Sequence, residues 1–215
     1  MRWGRVAVRG ARRGLGVGTL VLALAAVAGC SATRTIDAEA AAAGANDAGC
    51  TVDERAPEGG AAHLDQAGAP DPDELYAERP PASGAHFGSW LAVGVYRGAV
   101  DERAAVHNLE HGGVVAWYDP DALSEPDVAA LEDWAEDRNS AGLANRAGGG
   151  LIVAPFTDAP LSAPLALRGW LVGADCQRFD EAFADGFLLD HFGRAGKAPE
   201  GHLAPDVGRV LQRVG

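Results

Sequence analysis

Apolar runs and stripes are concentrated in the second half of the chain. Val114-Val115-Ala116-Trp117-Tyr118 is a continuous apolar run set between Gly112-Gly113 and Asp119-Pro120. Such a run, bounded by turn residues, predicts a buried strand. Leu123, Val128, Leu131 and Trp134 form a partial helical stripe. Ser124 ahead of Glu125-Pro126-Asp127 predicts where that helix starts, because a hydroxyl caps the first turn and proline and acids suit it. The helix is expected to run to about Asn139. Leu151 to Phe156, with Pro155 near its end, predicts a second buried strand. Leu165, Leu167 and Trp170 predict another strand up to Val172, paired with the preceding one. Phe183, Phe187, Leu188 and Phe192 mark the core side of a helix over residues 179–192.

Upstream, Asp101 is positioned to cap a helix over Asp101–Leu109. Residues 87–96 hold Trp90, Val93, Val95 and Tyr96 around Gly88 and Gly94, which suits a short strand or hairpin edge. The strand–helix–strand–strand–helix order predicts an α+β fold: a small mixed sheet with helices packed on one face, its second half thioredoxin-like or ferredoxin-like. Thioredoxin redox chemistry does not come with that expectation, since the chain has no Cys-x-x-Cys.

Between these elements the chain is polar or biased. Residues 51–79 are rich in Pro, Gly and Asp and read as an irregular arm lying over the domain. Ser31 to Gly49, with its Ala40–Ala43 run, reads as a flexible tether, and the segment after Gly193 reads as a loose tail. The predicted organisation is a signal peptide over 1–29, a lipidated cysteine and tether over 30–49, one globular domain over 50–205, and a tail over 206–215.

The amino terminus sets the compartment. Arg2, Arg5, Arg9, Arg12 and Arg13 precede an apolar stretch over Val17–Val27, and Val27-Ala28-Gly29-Cys30 follows. A basic head, a short apolar middle and a small-residue exit make a secretory signal peptide, too short in its middle for a membrane span. The cysteine directly after Val-Ala-Gly resembles the bacterial lipoprotein lipobox. That resemblance implies cleavage before Cys30 and lipid on it, hence an extracytoplasmic protein anchored to the membrane rather than spanning it. The other reading of Cys30 is a spare cysteine beside a plain cleavage site.

Removing residues 1–29 leaves 186 residues, with 13 basic against 30 acidic side chains and a net charge of −17. Phosphate backbones would repel such a surface, which excludes nucleic acid as a partner class. With Cys30 assigned to lipid, Cys50 and Cys176 remain, and in an oxidising compartment they are expected to pair as a disulfide. The alternative, two soft metal ligands, lacks a nearby Cys or His at metal-motif spacing.

The candidate chemistry lies in Val106-His107-Asn108-Leu109-Glu110-His111-Gly112. On a helix, His107 and His111 stand one turn apart on one face, with Glu110 close by. Histidines so spaced can share a divalent ion; they can equally cap the carbonyls of the helix's last turn. His86 follows Pro80-Pro81-Ala82-Ser83-Gly84, a rigid extended approach ending in a turn, and His63 lies in the arm. His86, His107 and His111, with His63 as a fourth, make a candidate site for zinc or copper(II), and Glu110 is placed to orient an imidazole. His191 and His202 lie apart in the last helix and tail. The only methionine is Met1, so a methionine-rich Cu(I) site is excluded.

Pro80-Pro81-Ala82-Ser83-Gly84-Ala85-His86, Gly94-Val95-Tyr96 and Val106-His107-Asn108-Leu109-Glu110-His111-Gly112 together resemble a bacterial family catalogued as Domain of Unknown Function 3105. The similarity extends over roughly His63 to Glu200, with Ala82 standing where the family usually has threonine. The resemblance implies an extracytoplasmic domain and supplies no activity.

Three functional readings follow from the residues. The first is a lipid-anchored extracytoplasmic protein binding a divalent metal through the histidine cluster. The second is a metal-dependent hydrolase: His107-Asn108-Leu109-Glu110-His111 matches H-x-x-E-H, in which Glu110 would be the general base and a downstream acid such as Glu181 a further ligand. The third is a structural or partner-binding lipoprotein, its protein partner unspecified, whose histidines only hydrogen-bond. Ser83 beside His86 lacks the G-x-S-x-G setting of a nucleophile.

Overall fold

The computed structural model describes residues 38–193 and 197–214. The basic segment, the apolar run and Cys30 lie outside the described residues, as do the cleavage and lipidation expected there.

Strand β5 (Val114–Tyr118) runs through the interior of a six-stranded sheet and is buried at every position. It lies parallel to β6 (Leu151–Pro155) in the register Val114↔Leu151, and β6 lies parallel to the short β4 (Gly94–Val95). On its other edge β5 is antiparallel to β7 (Leu165–Gly169), which forms a hairpin with β8 (Val172–Cys176). Strand β1 (Thr51–Glu54) closes the sheet against β8. β7 therefore pairs with β5 rather than with the strand before it. β5 and β4 already occupy both edges of β6, so the free edge of β5 is what remains.

Helices cover both faces. α3 (Glu102–Glu110) packs Ala105, Val106 and Leu109 against Val115, Trp117, Ile152 and Ala154. The alternate residues Val114, Ala116, Leu151 and Val153 face α4 (Glu125–Arg138), α5 (Glu181–His191) and α6 (Val207–Val214). The expected packing on one face thus describes α4, α5 and α6, while α3 has the other face. From β4 onward the path reads β-α-β-α-β-β-β-α, a mixed α+β order.

Two stretches expected to be loose are helical. α1 (Ala38–Ala48) comes from the expected tether and lies on α5, where Gly186 lets Ala41 approach so closely that an added Cβ would meet it at 2.8 Å. α6, in the expected tail, buries Val210 and Leu211. The arm over residues 51–79 is not wholly irregular: besides β1 it holds β2 (His63–Leu64) and the single turn α2 (Pro72–Leu75). Cys50 and Cys176 form the expected disulfide, tying the residue ahead of β1 to the end of β8 across 126 positions. Among the described residues no helix is long and apolar enough to cross a membrane.

Candidate metal centre

The end of α3 determines where two histidines stand. The Asp101 carboxylate accepts the Arg103 backbone N–H and starts the helix. At the other end the Gly113 N–H reaches the Asn108 carbonyl and the Gly112 N–H reaches that of Leu109. This pair of bonds is a Schellman stop, and it requires the left-handed backbone that Gly112 adopts at φ +82°. His107 and His111 fall on the last two turns, both buried, and their rings meet edge to face with centroids 4.4 Å apart.

His86 comes from the proline-rich loop, which is clamped from several sides. The Ser83 hydroxyl accepts the Glu58 N–H at 3.1 Å, and the Tyr76 hydroxyl donates to the Ala85 carbonyl at 2.8 Å. His86 opens β3 (His86–Phe87), which lies parallel to β2 in the register His63↔His86. That pairing carries His63 from the arm to the cluster. His86 has no exposed surface, whereas the His63 side chain is 51% exposed and forms the solvent edge of the site.

Three imidazoles are anchored in the same way. His86 Nδ1 lies 2.8 Å from the Gly84 carbonyl, His107 Nδ1 lies 2.7 Å from that of Phe87, and His111 Nδ1 contacts that of Ala147. A carbonyl only accepts, so each Nδ1 carries the proton and donates it. In the neutral ring each Nε2 is then a lone pair, and all three point inward. His86 Nε2 lies 3.0 Å from Glu110 Oε2, and His63 Nε2 lies 3.2 Å from the same oxygen. His107 Nε2 and His111 Nε2 face each other at 3.0 Å. One ligand atom each from His63, His86, His107 and Glu110 lie within 4.8 Å of one another, a set that could hold a metal ion. Burial, reinforced by the charge that neighbouring imidazoles would carry, holds the His107 pKa below the ordinary histidine range despite its bond to Phe87. The neutral ring is the form that binds metal.

The histidines expected to meet do meet: His63, His86, His107 and His111 share one cluster. Glu110, expected to orient an imidazole from behind, instead presents its carboxylate among the converging donors. That position also differs from the H-x-x-E-H expectation, in which the glutamate is free to activate water, because its Oε2 already meets two imidazoles. Glu181 is not part of the site; it pairs with Arg138 at 2.6 Å in the α4–α5 layer on the opposite sheet face. The nearby acid is Glu200, whose Oε2 lies 3.1 Å from His111 Nε2 and whose N–H bonds to the Glu110 carbonyl. Its one signal in the sequence is that the family resemblance ends on it.

Two more residues shape the site without a signature in the sequence. Asn108 is fully buried; its carboxamide accepts the Leu91 N–H and donates to the carbonyls of Leu91 and Gly148. It thereby ties two loops to α3, one carrying Trp90 and one carrying the Ala147 carbonyl. Trp90, 44% exposed, meets the rings of His107 and His111 edge-on at 5.3 and 5.1 Å.

The profile of the family described as protein of unknown function (DUF3105) matches residues 72–206, more than half of the chain. The chain belongs to this family. The DUF3105 segment contains His86, His107, Glu110, His111 and Glu200, while His63 lies ahead of it. Comparison with curated proteins and with solved structures finds no match.

Proposed function

We propose that this DUF3105 protein is an extracytoplasmic, lipid-anchored metal-binding protein whose divalent ion is held by His63, His86, His107 and Glu110. The observation that carries the reading is the locking of Nδ1–H of His86, His107 and His111 onto backbone carbonyls. Outer hydrogen bonds of this kind fix tautomer and ring orientation in metal sites, and they leave Nε2 as the ligand atom. A structural histidine cluster would gain more from donors facing acceptors. Here a carboxylate oxygen and imidazole lone pairs face one another, and a cation among them turns mutual repulsion into attraction.

The contacts to Glu110 suit an ion, while the four ligand atoms, spread over up to 4.8 Å, must draw together around it. Tetrahedral ligands about 2.0–2.1 Å from zinc stand roughly 3.3 Å apart, close to the 3.0 and 3.2 Å between Glu110 and the two histidines. Imidazole with one carboxylate favours borderline ions such as zinc and copper(II). Lipid attachment at Cys30 rests on the lipobox-like sequence, and the Cys50–Cys176 disulfide agrees with an oxidising compartment.

The test is metal analysis by mass spectrometry of protein purified without a histidine tag. Wild type is expected to retain stoichiometric metal, and His86→Ala with His107→Ala to lose it. Equal metal content in both, or none in wild type after zinc or copper incubation and desalting, overturns the reading. Cys30→Ser is expected to move the protein from membrane to soluble fractions; unchanged fractionation overturns the anchor.

A further inference from the structure

The cluster contains more donors than one tetrahedral ion needs. His63, His86 and Glu110 lie on one side, with the two imidazoles sharing Glu110 Oε2 at 3.2 and 3.0 Å. His107, His111 and Glu200 lie on the other, linked by the 3.0 Å Nε2–Nε2 contact and the 3.1 Å contact between His111 Nε2 and Glu200. Each half has two histidines and one carboxylate.

An ion in the four-donor set takes up His107 Nε2 but leaves His111 Nε2 and the Glu200 carboxylate, 3.1 Å apart, outside it. His107 and His111 each donate Nδ1–H to a carbonyl, of Phe87 and Ala147 respectively. With both rings neutral their Nε2 lone pairs oppose each other, and the Glu200 oxygen adds a third acceptor. Among the described contacts no donor is aimed between them. From this we infer that the protein holds a second divalent ion at His107, His111 and Glu200, so that the full site is dinuclear. This rests on the metal-binding reading above, and extends it. With one ion bound, His107 Nε2 is available to the four-donor set; with two bound, it serves the second ion, since one lone pair ligates one metal.

Two histidines and a carboxylate per ion leave coordination positions open on each metal. Trp90 stands edge-on to the His107 and His111 rings and is itself partly exposed, so the second position lies next to solvent. The ligand class is the borderline first-row divalent ions, with zinc, cobalt(II) and copper(II) as probes.

The experiment is a copper(II) titration of metal-free, untagged mature protein, read by equilibrium dialysis and by electron paramagnetic resonance. Two equivalents are expected, the second producing dipolar broadening and a half-field transition. Glu200→Gln changes a side chain that is 46% exposed, so the fold should tolerate it. It is expected to weaken the second equivalent at least about tenfold, since even outer-shell losses cost 10–100-fold, while the first is retained. His111→Gln should do the same, with circular dichroism as the folding control. One equivalent in wild type, unchanged in Glu200→Gln, overturns the second ion and leaves the first standing. No bound equivalent overturns both.

Discussion

Replacing Asn108 by alanine tests the link between the fold and the site. Asn108 has no exposed surface, and its carboxamide satisfies three backbone groups: the Leu91 N–H at 2.9 Å, the Leu91 carbonyl at 3.0 Å and the Gly148 carbonyl at 2.8 Å. Alanine leaves all three without that partner. An unsatisfied buried group costs about 1–3 kcal/mol, and partial rescue by water in the vacated space brings the expected total to roughly 3 kcal/mol. Aspartate is the sharper substitution. It keeps the acceptor for Leu91 N–H but turns a donor to two carbonyls into a negative charge facing them, so Asn108→Asp should be less stable than Asn108→Ala. Urea unfolding followed by tryptophan fluorescence gives both values. Because the same bonds hold the loops bearing Trp90 and the Ala147 carbonyl, zinc affinity should fall about tenfold in Asn108→Ala. A loss below about 1 kcal/mol, or an aspartate variant more stable than the alanine variant, would refute the assigned role.

Other consequences can be checked alongside. Replacing both Cys50 and Cys176 by serine opens a closure across 126 positions, and the chain-entropy model puts its upper cost at about 5 kcal/mol; an unchanged urea midpoint would contradict it. Burial pushes the Asp175 pKa up, but Arg168, the Ser162 hydroxyl and Arg55 outweigh it and hold the carboxyl below its ordinary range. A depressed folded-state pKa contributes stability above the unfolded value, near pH 4, and loses it as pH falls through the folded value. The destabilisation caused by Asp175→Asn should therefore shrink as pH is lowered from 6 towards 3; a constant difference would exclude this linkage.

Periodicity was informative where burial is complete. The β5 run, the Ser124-capped α4, the β6 run and the α5 stripe are visible as sequence because each places large apolar residues at its own repeat. The β7–β8 hairpin read as one strand because its turn is Trp170-Leu171. Leu171 takes φ 60° there without the glycine or asparagine that normally marks such a turn. α1 has no legible signal because it packs through alanine and glycine, which form no hydrophobic stripe, and α6 has little because its buried side chains are few.

The site divides the same way. His107 and His111 announce themselves by spacing, and His86 by its rigid approach. Glu200 and Asn108 do not, because their roles depend on chain returns between segments remote in sequence: Glu200 meets the end of α3 from 90 positions away. Glu110 was recognisable as a participant, but whether it backs a ligand or is one depends on the position of His63, which only the β2–β3 pairing fixes.

Anomalous diffraction at the zinc edge, from crystals of untagged protein loaded with a single equivalent of zinc, addresses the central claim most directly. The account predicts a peak enclosed by His63 Nε2, His86 Nε2, His107 Nε2 and a Glu110 carboxylate oxygen. Zinc bound only at surface carboxylates, with these four side chains still in direct contact with one another, would contradict it.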